Sequence, residues 1–441
     1  MLKSIRFENF LSFKNSKIEL EKQPNILIGI NGSGKTNFLK AIRLLYDGIT
    51  GTGLKNQIVN NLGGFENIYF SDIENEKNDS KYIVLEYEFD KDVVSNFGYN
   101  FKDDFFYKLI IYKNPGFSNY YITEKIYVKK QGKNDFIYLE FNNGKGYLFG
   151  KSDDRNLVQD SNFDLEFIKN LEFDDYNECS IEKQNAQNIN SNYHPNLGLI
   201  KYQDFDPQES ALSQVSDPER FYIQDTIKKA IKESIVYFYF DTSPFSKIRN
   251  AVLPTLEKRL LTDGRNLAQI LHTIRMNFRA DFKILLSRLN DVNENYSDVN
   301  FNLVGTNIEL VLEEKKINKV IHVSNISDGT LYYLCLLSIF YNPQRGKLIC
   351  IDEPETGLHP DMMRQITNAI QESGKKTQFI IATHSENILN AFNIENIRVF
   401  EKNEKNETMI FKFSEKDFEG WYDKFSVGQM WRQGDFGGNR W

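Results

Sequence analysis

Two segments near opposite ends of the 441-residue chain hold the residue types that handle phosphate. The first is Gly29-Ile30-Asn31-Gly32-Ser33-Gly34-Lys35-Thr36. Its glycines let successive backbone N–H groups converge on phosphate oxygens, and a helix starting at the lysine aims its positive end at the same anion. Asn31, Gly32, Ser33 and Gly34 then form the nucleotide-binding loop, Lys35 reaches the β- and γ-phosphates, and Thr36 ligates Mg²⁺. The second segment, Leu348-Ile349-Cys350-Ile351-Asp352-Glu353, is an apolar run ending in two acids. A buried strand there delivers Asp352 to the Mg²⁺ shell and leaves Glu353 where an attacking water must stand, as a base or water-orienting group.

Two weaker signals lie beside the second segment. Ser327-Asp328-Gly329-Thr330 opens an apolar helix, and a Ser and a Gly at a helix N-terminus make a further anion site. Ile380-Ile381-Ala382-Thr383-His384 ends another apolar run, with His384 in reach of a γ-phosphate and its water. Taken singly, each has a plain reading: a solvated acid pair, an ordinary helix cap, a structural histidine. Their order along the chain favours ATP binding and hydrolysis, with Glu353, His384 and Lys35 as the catalytic set.

The elements that must position these residues are legible on either side of them. Ser4–Phe7 and Ile18–Leu20 alternate as half-buried strands, Asn25–Ile28 is a buried strand, and Asn37–Leu45 has helical spacing. Near the other end come a helix at 328–341, a strand at Leu348–Ile351, a helix at Met362–Glu372, a strand at Phe379–Ala382 and a helix at Glu386–Phe392, a parallel α/β pattern. Between them, 81–150 is dense in β-branched and aromatic residues broken by Asn, Gly and Pro, which predicts antiparallel strands. Residues 151–217 are polar and carry no clear pattern, 218–290 read as helical, including Leu267–Leu289, and 299–325 read as strands. The expected division is 1–75 (first part of the ATPase head), 76–217 (β-rich insertion), 218–298 (helical subdomain), 299–400 (second part of the head) and 401–441 (tail). The fold class is α/β: a P-loop head assembled from both chain ends around an antiparallel β-rich and helical insertion.

Composition narrows the partners. Net charge is -7, from 54 basic and 61 acidic residues, which does not favour general polyanion binding. Cys179, Cys335 and Cys350 are far apart and suggest neither a disulfide framework nor a zinc site. The N-terminus has no signal-peptide pattern and the longest apolar run is too short to span a bilayer, so a cytoplasmic, membrane-free protein is expected.

The order of motifs resembles the ABC-type ATPase heads of the SMC, RecF and OLD-like group. Phe7-Glu8-Asn9-Phe10 with Leu11-Ser12-Phe13 looks like that group's N-terminal strand turn, with Leu11 where an arginine is usual. The resemblance implies two heads sandwiching two ATPs, with Ser327 and Gly329 of one copy completing the site of the other, and a glutamine beside the metal, for which Gln57 is the candidate. Phe240–Phe245, Asp263–Ala268, and Ser426–Trp431 with Gly437–Asn439 look like the compact AAA-type ATPases of bacterial defence loci, among them the ATPase halves of the PARIS (AriA-like) and Septu (PtuA-like) systems. Arg265 and Asn266 also read simply as a turn and helix start. About forty residues follow the last α/β strand, too few for a TOPRIM nuclease domain, so the resemblance implies a nucleotide-driven switch or sensor whose effector, a nuclease or toxin, is a separate antiphage protein. The competing reading is a RecF-like protein whose grip on DNA is gated by ATP; a transporter ATPase fits poorly. Trp421, Trp431 and Trp441 crowd the last segment, either as a docking surface or packed back on the head.

Overall fold

Short apolar and β-branched runs between turn residues become strands, and apolar residues at three- and four-residue steps become helices. The computed structural model describes residues 1–71, 81–97, 101–113, 119–129, 135–151, 197–315, 317–418 and 426–434. In chain order the strands are β1 (Leu2–Phe10), β2 (Phe13–Glu19), β3 (Asn25–Gly29), β4 (Lys81–Phe89), β5 (Phe105–Lys113), β6 (Tyr121–Val128), β7 (Phe136–Asn142), β8 (Lys145–Lys151), β9 (Leu197–Tyr202), β10 (Ser234–Tyr237), β11 (Tyr296–Val304), β12 (Asn307–Glu314), β13 (Ile317–His322), β14 (Leu348–Asp352), β15 (Gln378–Ala382), β16 (Ile397–Lys402) and β17 (Thr408–Lys412). The longer helices are α1 (Lys35–Thr50), α2 (Tyr222–Lys232), α3 (Leu267–Asn277), α4 (Arg279–Val292), α5 (Asp328–Phe340) and α6 (Pro360–Ser373), and α7 (Val427–Gln433) lies near the C-terminus.

The chain divides into two units. The first comprises 1–20, 40–233 and 402–409. It is built on an eight-stranded sheet in the order β2-β1-β4-β5-β6-β7-β8-β9, antiparallel throughout. Aromatic residues fill it: Phe7 stacks on Phe13 with ring centroids 4.5 Å apart, and Phe89 on Phe105 at 5.0 Å. The predicted β-rich region is therefore present. It takes in the N-terminal strands as well, so the units cut across the segment limits expected from sequence.

The second unit comprises 21–39, 234–401 and 410–441. Its six-stranded sheet runs β10-β14-β15-β3-β16-β17, and β10, β14, β15, β3 and β16 pair in parallel. A three-stranded antiparallel sheet, β11-β12-β13, belongs to the same unit. Helix α5 is buried over its whole apolar length, Leu331 to Phe340, in a core shared with Ile26, Ile28, Ile349, Phe379 and Ile381. Parallel strands covered on both faces read as continuous apolar runs, which is how β3, β14 and β15 were visible in the sequence.

Two expected helical stretches differ. The run 218–290 is interrupted by β10, whose Ile235 pairs level with Ile349 of β14. Its four residues are all buried, and a short apolar run cannot be assigned to strand or helix by periodicity. Leu267–Leu289 is two helices, broken at Phe278, which leaves helical geometry at φ -132° and ψ 59°.

Candidate nucleotide site

The site belongs entirely to the second unit. Strands β14, β15 and β3 lie side by side, with Asp352 level with Ala382 and Ala382 level with Leu27. Adjacent parallel strands ending within two residues of each other bring their exit loops together, and a crevice at the carboxyl ends of such strands is where open α/β sheets bind ligands. The three loops here are the glycine-rich turn after β3, the acid pair after β14 and Thr383-His384 after β15.

The glycine-rich turn closes tightly. The Ser33 amide donates to the Ile30 carbonyl at 3.1 Å, and α1 begins at Lys35. A Cβ at Gly29 would collide with the Phe400 carbonyl and the Ser33 hydroxyl oxygen, so only glycine fits. Gly32, at φ +81°, takes the left-handed backbone and faces open space. The Lys35 ammonium donates to the carbonyls of Gly29 at 2.8 Å and Ile30 at 3.3 Å. Burial pulls its pKa down to about 8, against the opposing charges of Glu353, Asp352 and Glu355. A desolvated ammonium held only by two carbonyls and distant acids has much to gain from an anion.

Thr36 and Asp352 meet. The Thr36 hydroxyl donates to Asp352 Oδ2 at 2.9 Å. A hydroxyl and a carboxylate together make an all-oxygen donor set, the chemistry that a hard cation such as Mg²⁺ takes, and these residues fit that ion.

Glu353 follows with a backbone φ of +47°, rare for a residue with a side chain. Such a conformation costs about 1–3 kcal/mol and persists where the surroundings over-determine it. The Glu353 amide is bound to the Ala382 carbonyl at 2.8 Å, which locks the turn. Its carboxylate Oε1 lies 3.5 Å from His384 Nε2. The structure thus gathers Lys35, Thr36, Asp352, Glu353 and His384, residues that the sequence gives in separate motifs.

Ser327 is the N-cap of α5; its hydroxyl oxygen accepts from the Thr330 amide at 3.3 Å and it is exposed. A Cβ on Gly329 would approach the carbonyl of Gly357, in the turn after the acid pair, at 3.1 Å. Gln57, assigned to the first unit, is buried, and its amide nitrogen donates to Asp47 at 3.0 Å and Thr52 at 2.9 Å. The Asn266 side chain bonds to Leu261 N and Arg259 O at the start of α3, and Arg265 pairs with Asp263, so this stretch is a turn and helix start. Trp431 is buried in the core of the second unit with Val427 and Met430, while Trp421, Trp441 and Cys179 lie outside the described residues.

Sequence reasoning missed two residues. Glu355 Oε1 accepts from the Thr383 hydroxyl at 2.8 Å and from the His384 amide at 2.6 Å. Burial raises its carboxyl pKa even so. Arg249 is buried and donates to the carbonyls of Val323 at 2.8 Å and Ile326 at 2.8 Å and to Asp328 Oδ1 at 2.5 Å, holding the loop that leads into Ser327. A Glu two positions after Glu353 is itself a visible signal; the Arg249 bonds are mostly to backbone carbonyls, which leave none.

Residues 25–390 match the family described as "AAA domain, putative AbiEii toxin, Type IV TA system". The chain belongs to this family of AAA-type ATPase domains. It is also 53% identical over 47 residues to the DNA replication and repair protein RecF of Rickettsia canadensis and of Rickettsia conorii. That match covers 11% of this chain and spans 13% of the length of those curated relatives. Among solved structures it resembles an Smc head bound to the C-winged helix domain of ScpA, with a TM-score of 0.54 at 12% identity, over 95% of this chain and 99% of that one. The fold of this chain is thus that of the ABC/SMC-type P-loop head, mixed α/β with antiparallel sheets. Among the described residues, no helix is long and apolar enough to cross a membrane.

Proposed function

We propose that the protein binds ATP with Mg²⁺ and hydrolyses it to ADP and phosphate. The observation that carries this is the meeting of Thr36 and Asp352 beside the buried Lys35 ammonium, with Glu353 and His384 at the next strand ends. The loop 31–34 and Lys35 hold the β- and γ-phosphates by backbone N–H groups and one charge. Thr36 and Asp352 would hold Mg²⁺, which when bound offsets phosphate charge. In this reading Glu353 orients and deprotonates the attacking water, and His384, 3.5 Å from the Glu353 carboxylate, contacts that water and the γ-phosphate. The test is ATP turnover with a Lys35→Ala control: parent turnover that is lost in Lys35→Ala, together with ATP binding, supports the reading, and a parent without Mg²⁺-dependent turnover overturns it.

The hydrolysis serves a switch. Two copies close on two ATPs, with Ser327 and Gly329 of one completing the site of the other, and hydrolysis reopens them. The exposed Ser327 at the N-terminus of a 13-residue helix supports this, since that end carries positive potential with no phosphate of its own chain assigned to it. The output is a separate effector, a nuclease or toxin, in antiphage defence, a reading supported by the toxin–antitoxin description of the family. Light scattering that shows a strict monomer with nucleotide trapped overturns the dimer. Nucleic-acid cleavage by the purified protein alone overturns the separate effector.

The match to RecF supports a second reading, ATP-gated DNA binding in repair or recombination. ATP-dependent duplex binding at low salt, where phosphate contacts are strongest, favours it.

A further inference from the structure

We propose that Glu355 is a positioning residue for ATP hydrolysis: it holds the turn that presents His384 to Glu353. The inference rests on the ATPase reading above. Its basis is one carboxylate oxygen with two donors. Glu355 Oε1 accepts from the Thr383 hydroxyl at 2.8 Å and the His384 backbone amide at 2.6 Å. Thr383 also accepts from the Ser385 amide at 2.9 Å, so the hydroxyl is fixed at both ends. The Thr383 amide is anchored to the Leu27 carbonyl at 3.0 Å. Residues 383–385 are thereby pinned to the strand that leads into the phosphate loop and to the segment that carries the acid pair.

The consequence is geometric. Glu353 and Glu355 sit two residues apart across Pro354, and both address the same neighbouring turn. Glu353 reaches the His384 ring, with Oε1 and Nε2 3.5 Å apart, and Glu355 grips the His384 backbone. A histidine at a strand end has free χ angles and a loop backbone. Tying its amide to the segment that bears the water-orienting acid makes their spacing a property of one rigid unit. Burying a carboxylate is costly unless donors meet it, and Glu355 Oε2 is buried with no hydrogen-bond partner among the described residues. An apolar side chain would suit the burial better; what the side chain at 355 provides is one oxygen that accepts two bonds at once.

The test uses the full chain with Glu355→Ala, Glu355→Gln and Thr383→Val. In the nucleotide-free protein, hydrogen exchange of the His384 amide is slow in the parent, faster in Glu355→Ala and slow again in Glu355→Gln, which keeps an acceptor oxygen. In turnover, Glu355→Ala lowers kcat on the order of 10-fold or more with KM for ATP within about twofold, and Glu355→Gln recovers most of the loss. Unchanged His384 exchange in Glu355→Ala overturns the proposal, as does faster exchange with unchanged kcat. Should Glu355→Ala fail to fold, Thr383→Val removes one hydroxyl and must also lower kcat; parent-like kcat there overturns it. A parent without Lys35-dependent turnover sinks the ATPase reading, and the exchange arm still decides whether Glu355 holds His384.

Discussion

The Thr36 hydroxyl and Asp352 Oδ2 are 2.9 Å apart in space and 316 residues apart in sequence. Nothing local joins them. They meet because β3 and β14 both pair with β15: β14 ends level with it, and β3 runs two residues further into the phosphate loop. With a hard cation this pair supplies oxygen ligands from two chain ends at once. Thr36→Val keeps the side chain's shape and removes the ligand. The Mg²⁺ concentration for half-maximal turnover should rise roughly 10-fold or more, while nucleotide binding without metal stays near the parent value. An unchanged Mg²⁺ titration would mean that the hydroxyl does not serve the metal.

Glu124 gives the first unit a pH response. It is fully buried and accepts from the Ser210 hydroxyl at 3.0 Å and the amides of Ala211 at 2.5 Å and Leu212 at 3.1 Å. Burial outweighs these donors and pushes its pKa from 4.5 up to about 7. Because the folded value lies above the unfolded one, folding takes up a proton between them. The stabilisation is complete below pH 4.5 and is lost as the pH rises through 7. Across pH 5 to 7, parent stability should fall relative to Glu124→Gln by up to about 1.4 kcal/mol per pH unit. Denaturant unfolding at several pH values measures this, and parallel pH slopes would contradict it.

Trp431 offered two readings in the sequence, an exposed docking residue or part of the core, and the structure gives the second. Trp431→Ala should then lower stability by about 3–5 kcal/mol, as large-to-small core changes do. Thermal unfolding checks this; a change below about 0.5 kcal/mol, the range of surface substitutions, would return the residue to the surface.

The legible parts of the molecule are those whose signal is contiguous. The phosphate loop announces itself because its glycines, lysine and threonine are consecutive, and β14 because an apolar run ends in Asp352-Glu353. The antiparallel strands β4 to β7 were visible from β-branched and aromatic runs and turn residues; β8, Lys145–Lys151, has no β-branched residue. β10 was not, since Ser234–Tyr237 is too short to declare a period and follows an amphipathic helix. Glu355 shows no role in the sequence, because its partners, Thr383 and the His384 amide, are 28 and 29 residues away. Arg249 was silent because its acceptors are mostly backbone carbonyls, which leave no mark on side-chain identity.

The central claim is that Glu353, turned out of its strand at φ +47° toward His384, drives hydrolysis of ATP held by the phosphate loop. Steady-state ATP turnover and nucleotide binding of Glu353→Gln, measured beside the parent, test it most directly. The account predicts parent-like ATP binding with turnover lowered by about 100-fold or more, the range removed with a general base. A Glu353→Gln protein that hydrolyses ATP at the parent rate would contradict it.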